Sequence, residues 1–155
     1  MKCLVTGGSG FLGSHLVDQL TKLGFEVTIF DKKRSKWKNK KQKIVIGDLS
    51  DIKKINKVVK NSDYVFHFAG FSDLNLALNK PRETAEQNIL GTINILEACK
   101  KFNVKRIIHA SSIYVNSTQG GFYRSSKRAA EDYIEEYQKR FKLNYTILRF
   151  GSLYG

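Results

Sequence analysis

"TGGSGFLGSHL", Thr6 to Leu16, sets Gly7, Gly8, Gly10 and Gly13 between a short apolar run and an apolar helical pattern. Glycine is costly inside regular structure, so such a cluster needs a reason. It is either a tight strand-to-helix turn or a loop whose bare backbone meets a phosphate. The flanks bear on the choice. "KCLVT", residues 2–6, is an apolar run ended by glycine and reads as a buried strand. Residues 11–23 carry Phe11, Leu12, Leu16, Val17, Leu20 and Leu23 at helical spacing, with Gly24 as a stop. In the frame Gly7-x-x-Gly10-x-x-Gly13, the first glycine permits the turn. The second lets the main chain approach a pyrophosphate, and the third lets the helix pack on the strand. Free N–H groups and the helix dipole would then hold the anion.

The rest of the chain repeats the alternation. Strands are predicted at 26–30, 43–47, 64–68, 105–110 and 145–150. Helices are predicted at about 51–60, from Pro81 to about Phe102, and from Tyr123 to Phe141. Residues between strand 64–68 and Pro81 read as a polar connection. The strands are nearly continuous apolar runs, as sheets covered on both faces require. Right-handed crossovers make this an α/β, doubly wound parallel sheet of the Rossmann type with strand order 3-2-1-4-5-6.

Asp31 ends the second strand, where a carboxylate can accept hydrogen bonds from both ribose hydroxyls of an adenosine. It would repel a 2′-phosphate by up to ~4 kcal/mol at an effective dielectric near 20. Solvated Lys32, Lys33 and Arg34 return only ~1 kcal/mol in water, so NAD is expected over NADP. Asp48, in "GDL" after strand three, is placed for the adenine edge. In "HFAG", residues 67–70, small Ala69 and Gly70 let a cofactor lie against the backbone, and His67 reads as a packed strand residue.

"YRSSK" sets Tyr123 and Lys127 on one helix face. A nearby ammonium favours phenolate, so Tyr123 can serve as a general base while Lys127 holds a nicotinamide ribose. "ASS", residues 110–112, ends strand five near the same edge and offers a serine hydroxyl to the reacting oxygen.

In order along the chain, the glycine loop, Asp31, "GDL", "HFAG", "NILGTINILEA" (88–98), "ASS", "YRSSKRAAE" (123–131) and "LRFGSLYG" (148–155) resemble the extended short-chain dehydrogenases/reductases. The likeness is to the NAD-dependent epimerase/dehydratase group acting on nucleotide sugars, such as UDP-glucose 4-epimerases. The resemblance implies that Ser112, Tyr123 and Lys127 are catalytic. It implies cofactor contacts at Gly7, Gly10, Phe11, Leu12, Gly13, Asp31, Asp48, Leu49, Phe68, Ala69, Gly70, Tyr123 and Lys127, and a mainly structural Asn88. It also implies a nucleotide-sugar substrate, and a homodimer through helices that include 81–102 and 123–141.

The chain departs from the family in places. Val115-Asn116-Ser117 stands where Val-Tyr-Gly is usual, Ser152 stands where Asn is common, and the connection from Ser112 to Tyr123 is short. Family members also continue past the Tyr-Gly pair into a smaller substrate-binding domain. Residues 1–155 therefore read as the NAD-binding domain, without that second domain.

Composition sets the remaining bounds. Hydrophobic residues make up 41% of 155, which suits one packed domain. No apolar run approaches the ~20 residues of a membrane span, and the N-terminus has no secretory pattern, so a cytoplasmic protein is expected. Cys3 and Cys99 read as buried thiols and lack metal-site spacing, so no metal is expected. The net charge of +13 is concentrated in Lys32 to Lys43, with eight basic residues and no acidic one. With Trp37 as its one aromatic, this stretch reads as a solvated loop rather than a nucleic-acid surface. Two alternatives to an enzyme stay open on the residues alone: a non-catalytic dinucleotide-binding module and an RNA-binding derivative of the fold.

Overall fold

The computed structural model describes residues 1–35 and 40–154. Trp37 therefore lies outside the described residues, as does any role for it in stacking. Six parallel strands form one sheet: β1 (Lys2–Thr6), β2 (Glu26–Asp31), β3 (Lys43–Ile46), β4 (Tyr64–His67), β5 (Arg106–Ser112) and β6 (Tyr145–Phe150), in the order β3-β2-β1-β4-β5-β6. The expected strand order is the observed one. The register brings Thr6 opposite both Phe30 and His67, so the carboxyl ends of β1, β2 and β4 lie level.

Both faces of the sheet are covered, which explains why β1 is apolar at consecutive positions. Cys3 and Val5 pack with Val17 and Leu20 of α1 (Phe11–Lys22). Leu4 points the other way, into a larger core that includes Ile55, Ile95 and Ile134. Those three residues come from α2 (Ile52–Val59), α5 (Gly91–Lys101) and α6 (Gly121–Phe141). Both cysteines are buried, as their sequence context suggests.

Three connections differ from the sequence-based expectation. A short helix, α3 (Leu74–Asn79), lies in the supposed polar connection, with the Asp73 carboxylate accepting from the Leu76 N–H at 2.9 Å. It escaped detection because only Ala77 is buried while Leu76 and Leu78 are exposed, so no apolar stripe forms. The helix expected from Pro81 is interrupted. It runs as α4 (Pro81–Ala85), a wider π-helical turn (Glu86–Leu90) and then α5. Finally, a 3₁₀ turn (Ile113–Asn116) follows β5, and α6 begins at Gly121 rather than Tyr123. Gly120 and Gly121 have φ of +98° and +48°, which turns the chain tightly into the helix.

Candidate active site

A cleft of about 780 Å³ opens over the carboxyl edge of the sheet. Gly7, Gly10, Phe11, Leu12, Gly13, Asp31, Leu49, Phe68, Ala69, Gly70, Ser112, Tyr123 and Lys127 all line it. One sequence-derived site residue does not: Asp48 stands beside the cleft, between Gly47 and Leu49, which do line it.

The glycine loop is built for close approach. Gly7 has φ +71°, and a Cβ there would lie 2.6 Å from the Ala69 backbone N. A Cβ on Gly13 would lie 2.2 Å from the Gly7 carbonyl oxygen, so only glycine lets α1 start against the end of β1. The loop folds on itself through Gly10 N–H donating to the Gly7 carbonyl at 3.0 Å. Asp31 locks it from the side: its carboxylate accepts from the Ser9 N–H at 2.9 Å and the Lys33 N–H at 3.0 Å.

Asp48 is held by its own turn. One oxygen accepts from both the N–H and the hydroxyl of Ser50 at 2.8 Å, and the other faces Lys32 Nζ at 2.8 Å. Partial burial raises its pKa, but the Lys32 and Ser50 hydrogen bonds win and hold it at about 2. Lys32 is thus paired with Asp48, which removes it as a flexible counter-charge to Asp31.

At the other end of the cleft, Ser112 is buried, and its hydroxyl accepts from the Tyr114 N–H at 3.3 Å while capping the 3₁₀ turn. The short loop from β5 to α6 also brings the Tyr114 ring edge-on to Tyr123, with centroids 6.4 Å apart. Burial raises the Tyr123 phenol pKa, a hydrogen bond with Ser112 opposes that rise, and Tyr114 adds to it. The expected depression of the phenol by Lys127 is not present in this arrangement. The reason is geometric: Lys127 Nζ donates to the Ala110 carbonyl at 2.9 Å. Burial lowers the ammonium pKa to about 8, against the raising effect of Glu131 one turn further along α6. Glu131 is itself buried and takes two hydrogen bonds from Arg149, at 3.1 and 2.7 Å.

His67 is a packed strand residue, as expected. Its ring nitrogens lie 2.8 Å from the Thr6 hydroxyl and 3.0 Å from the Thr92 hydroxyl, and burial followed by the nearby Lys127 charge lowers its pKa to about 3. Asn88 is structural. From the π-helical turn it accepts from the Phe71 N–H at 2.6 Å and donates to the Phe71 carbonyl at 3.0 Å and the Ser126 hydroxyl at 2.9 Å. That clamp fixes the chain after β4 and ties it to α6. "ASS" offered two serines and the resemblance pointed to Ser112, but Ser111 lines the cleft as well; the Glu131–Arg149 pair was missed. The spacing of Lys127 and Glu131 signals one helix face, but Arg149 is brought in only by β6.

The sequence matches the NAD dependent epimerase/dehydratase family over residues 3–155. Among curated relatives, it is 29% identical to the CDP-paratose 2-epimerase of Salmonella typhi, covering 100% of this chain and 58% of that protein. It is 35% identical over 128 residues to a bifunctional UDP-glucose 4-epimerase and UDP-xylose 4-epimerase of Arabidopsis thaliana, covering 72% and 36%. The fold superposes on the UDP-glucose 4-epimerase of Thermotoga maritima, solved with UDP-glucose, with a TM-score of 0.92 at 28% identity, covering 100% of this chain and 57% of that one. It superposes equally on the Thermus thermophilus UDP-glucose 4-epimerase in complex with NAD, with a TM-score of 0.92 at 30% identity, covering 100% and 56%. The chain thus spans between 36% and 58% of the length of these relatives. With the match running from residue 3 to the last residue, this chain belongs to the NAD-dependent epimerase/dehydratase family.

Proposed function

We propose that this chain is the cofactor-binding and catalytic part of an NAD-dependent nucleotide-sugar epimerase or dehydratase. The observation that carries the reading is that one cleft gathers a backbone cradle, an acidic strand end and a Ser112/Tyr123/Lys127 cluster. The cradle suits a dinucleotide: Gly7 and Gly13, where a Cβ would collide with neighbouring backbone, let α1 start close against the end of β1, so that Gly10, Phe11, Leu12 and Gly13 line the cleft. The first N–H groups of α1 face the position of a diphosphate. Asp31, already on the loop through Ser9, keeps acceptor capacity for ribose hydroxyls. Phe68, Ala69 and Gly70 form a wall for the nicotinamide half, and Leu49 closes the adenine side next to Asp48.

When bound, the cofactor supplies a hydride acceptor and, later in the cycle, a hydride donor. The chain's own residues manage the proton. Tyr123 takes it from the sugar hydroxyl, and Ser112 orients the same oxygen. For the phenolate to be accessible near neutral pH, Lys127 must keep its charge on the same helix face. The substrate is a nucleotide sugar, the class found in the Thermotoga maritima enzyme solved with UDP-glucose, of which this chain covers 57%. Remote substrate contacts support the chemical step, so residues 1–155 alone are expected to bind NAD with little turnover. Association of two copies through the segment 81–102 and α6 is proposed on the same reading, and Leu90, Tyr133 and Phe141 are exposed apolar side chains on those segments. Among the described residues no helix is long and apolar enough to cross a membrane.

The experiment is Tyr123→Phe in the longest natural form of the chain. Turnover of a UDP-hexose should fall by about 10²–10⁴-fold, with NAD affinity by calorimetry nearly unchanged. Undiminished turnover removes Tyr123 as the base.

A further inference from the structure

His109 stands out among the buried polar groups. Its ring is 1% exposed, yet neither Nδ1 nor Nε2 has a hydrogen-bond partner among the described residues. The hydroxyl of Ser111, 4% exposed, is unpartnered in the same way. The two residues are not independent. They are two apart on β5 and so project from the same face of the sheet. Between them lies Ala110, whose carbonyl takes the Lys127 ammonium. His109 is also opposite His67 in the β4–β5 register, with ring centroids 5.3 Å apart.

A neutral imidazole has one donor and one acceptor nitrogen, and leaving either unmet in a protein interior costs about 1–3 kcal/mol. His67 cannot relieve this, because its two nitrogens are committed to Thr6 and Thr92. Three orphan polar atoms from the residues on either side of Ala110, whose carbonyl takes the buried ammonium, with the Lys127 charge felt at His109, make the polar setting in which internal water is held. Apolar packing alone would not place a histidine there.

We propose that His109 and Ser111 hold an internal water against the Lys127 ammonium, and that they are positioning residues which keep that lysine cationic. The inference deepens the reading of Lys127 given above and rests on it. A water that accepts from Lys127 and donates to a ring nitrogen of His109 replaces part of the hydration lost on burial. The charged and titratable groups that bear on Lys127 are His109 and His67 from the sheet and Glu131 from its own helix, with Arg149 of β6 bonded to Glu131; Tyr123 shares its helix face by spacing. Burial, then the Lys127 charge and then His67 hold His109 well below its ordinary pKa, so it stays neutral and free to accept.

The test reads Lys127 directly, in protein without cofactor or substrate, by NMR titration of ¹³Cε-labelled lysine. His109→Phe keeps the ring volume and removes both nitrogens. The Lys127 midpoint, about 8 in the unaltered protein, should fall by about 1 pH unit as the ammonium loses solvation. Ser111→Ala is the milder variant, usable if His109→Phe fails to fold, and should move the midpoint the same way by less. A crystal structure of the unaltered protein at atomic resolution should show a water within hydrogen-bond distance of His109. An unmoved midpoint in every variant that folds overturns the proposal, and so does a well-ordered His109 with no water beside it. Neither readout depends on turnover, so failure here is distinct from failure of Tyr123→Phe to abolish activity.

Discussion

The carboxylate of Asp31 accepts a hydrogen bond from the backbone N–H of Ser9 at 2.9 Å, joining the end of β2 to the glycine loop after β1. The residue proposed to hold the adenosine ribose is thus also a brace for the glycine loop. Asp31→Ala removes both roles. Charge-assisted hydrogen bonds are worth about 1.5–3 kcal/mol, so NAD affinity should fall by roughly 10–100-fold. Affinity for NADP should fall less or rise, because the repulsion of a 2′-phosphate is gone. Calorimetry with the two dinucleotides side by side decides it, and an unchanged preference for NAD rules out the ribose role.

Two glycines separate folding from binding. A Cβ on Gly13 would lie 2.2 Å from the Gly7 oxygen and 2.8 Å from Gly8 Cα, both backbone atoms that cannot swing away. Gly13→Ala should cost about 1–3 kcal/mol of stability and abolish cofactor binding. On Gly10 the nearest atom is the Gly7 oxygen at 3.3 Å, which a small shift accommodates. Gly10→Ala should melt nearly as the parent does while binding NAD weakly, because the added methyl stands where the diphosphate is proposed to lie. Thermal melts with and without NAD distinguish the pair.

The depressed ammonium of Lys127 has a signature in stability against pH. A lysine whose pKa falls from 10.5 to about 8 on folding binds fewer protons in the native state between those values. Stability from this group therefore rises as pH climbs from about 8 to 10.5, and the cost of burying the charge is fully present below pH 8. Lys127→Met should lack that rise. The comparison is the difference in urea midpoints between variant and parent at about pH 7 and about pH 10, on either side of the folded midpoint; a constant difference contradicts a buried, shifted lysine.

Glu131 carries the opposing influence. Its buried carboxylate, clamped by two hydrogen bonds from Arg149, raises the Lys127 pKa. Glu131→Gln keeps the shape and removes the charge. The Lys127 midpoint should fall below about 8, and the alkaline limb of the activity profile should move to lower pH with it. A lysine titration indistinguishable from the parent would show that Glu131 serves only to anchor β6.

The glycine turn, the strands, Asp31 at the end of β2 and the shared helix face of Tyr123 and Lys127 were legible in the residues because each is a local pattern, and the strand order followed from the handedness of the crossovers between strands. The sheet faces followed for the same reason, since alternate residues of β1 enter two different cores. What was not legible depends on neighbours distant in the chain. α3 has no buried stripe to announce it, and the π-helical turn that aims Asn88 at Phe71 leaves no periodic trace. Sequence spacing placed Tyr123, Lys127 and Glu131 on one helix face, but only the fold turned the ammonium to the Ala110 carbonyl, brought Arg149 to Glu131 and left His109 without a hydrogen-bond partner among the described residues. Local backbone preferences and apolar periodicity thus determined the scaffold and the identity of the candidate reacting groups. Their charge states were decided by tertiary structure, because burial and through-space partners, not sequence neighbours, set the energy of a proton.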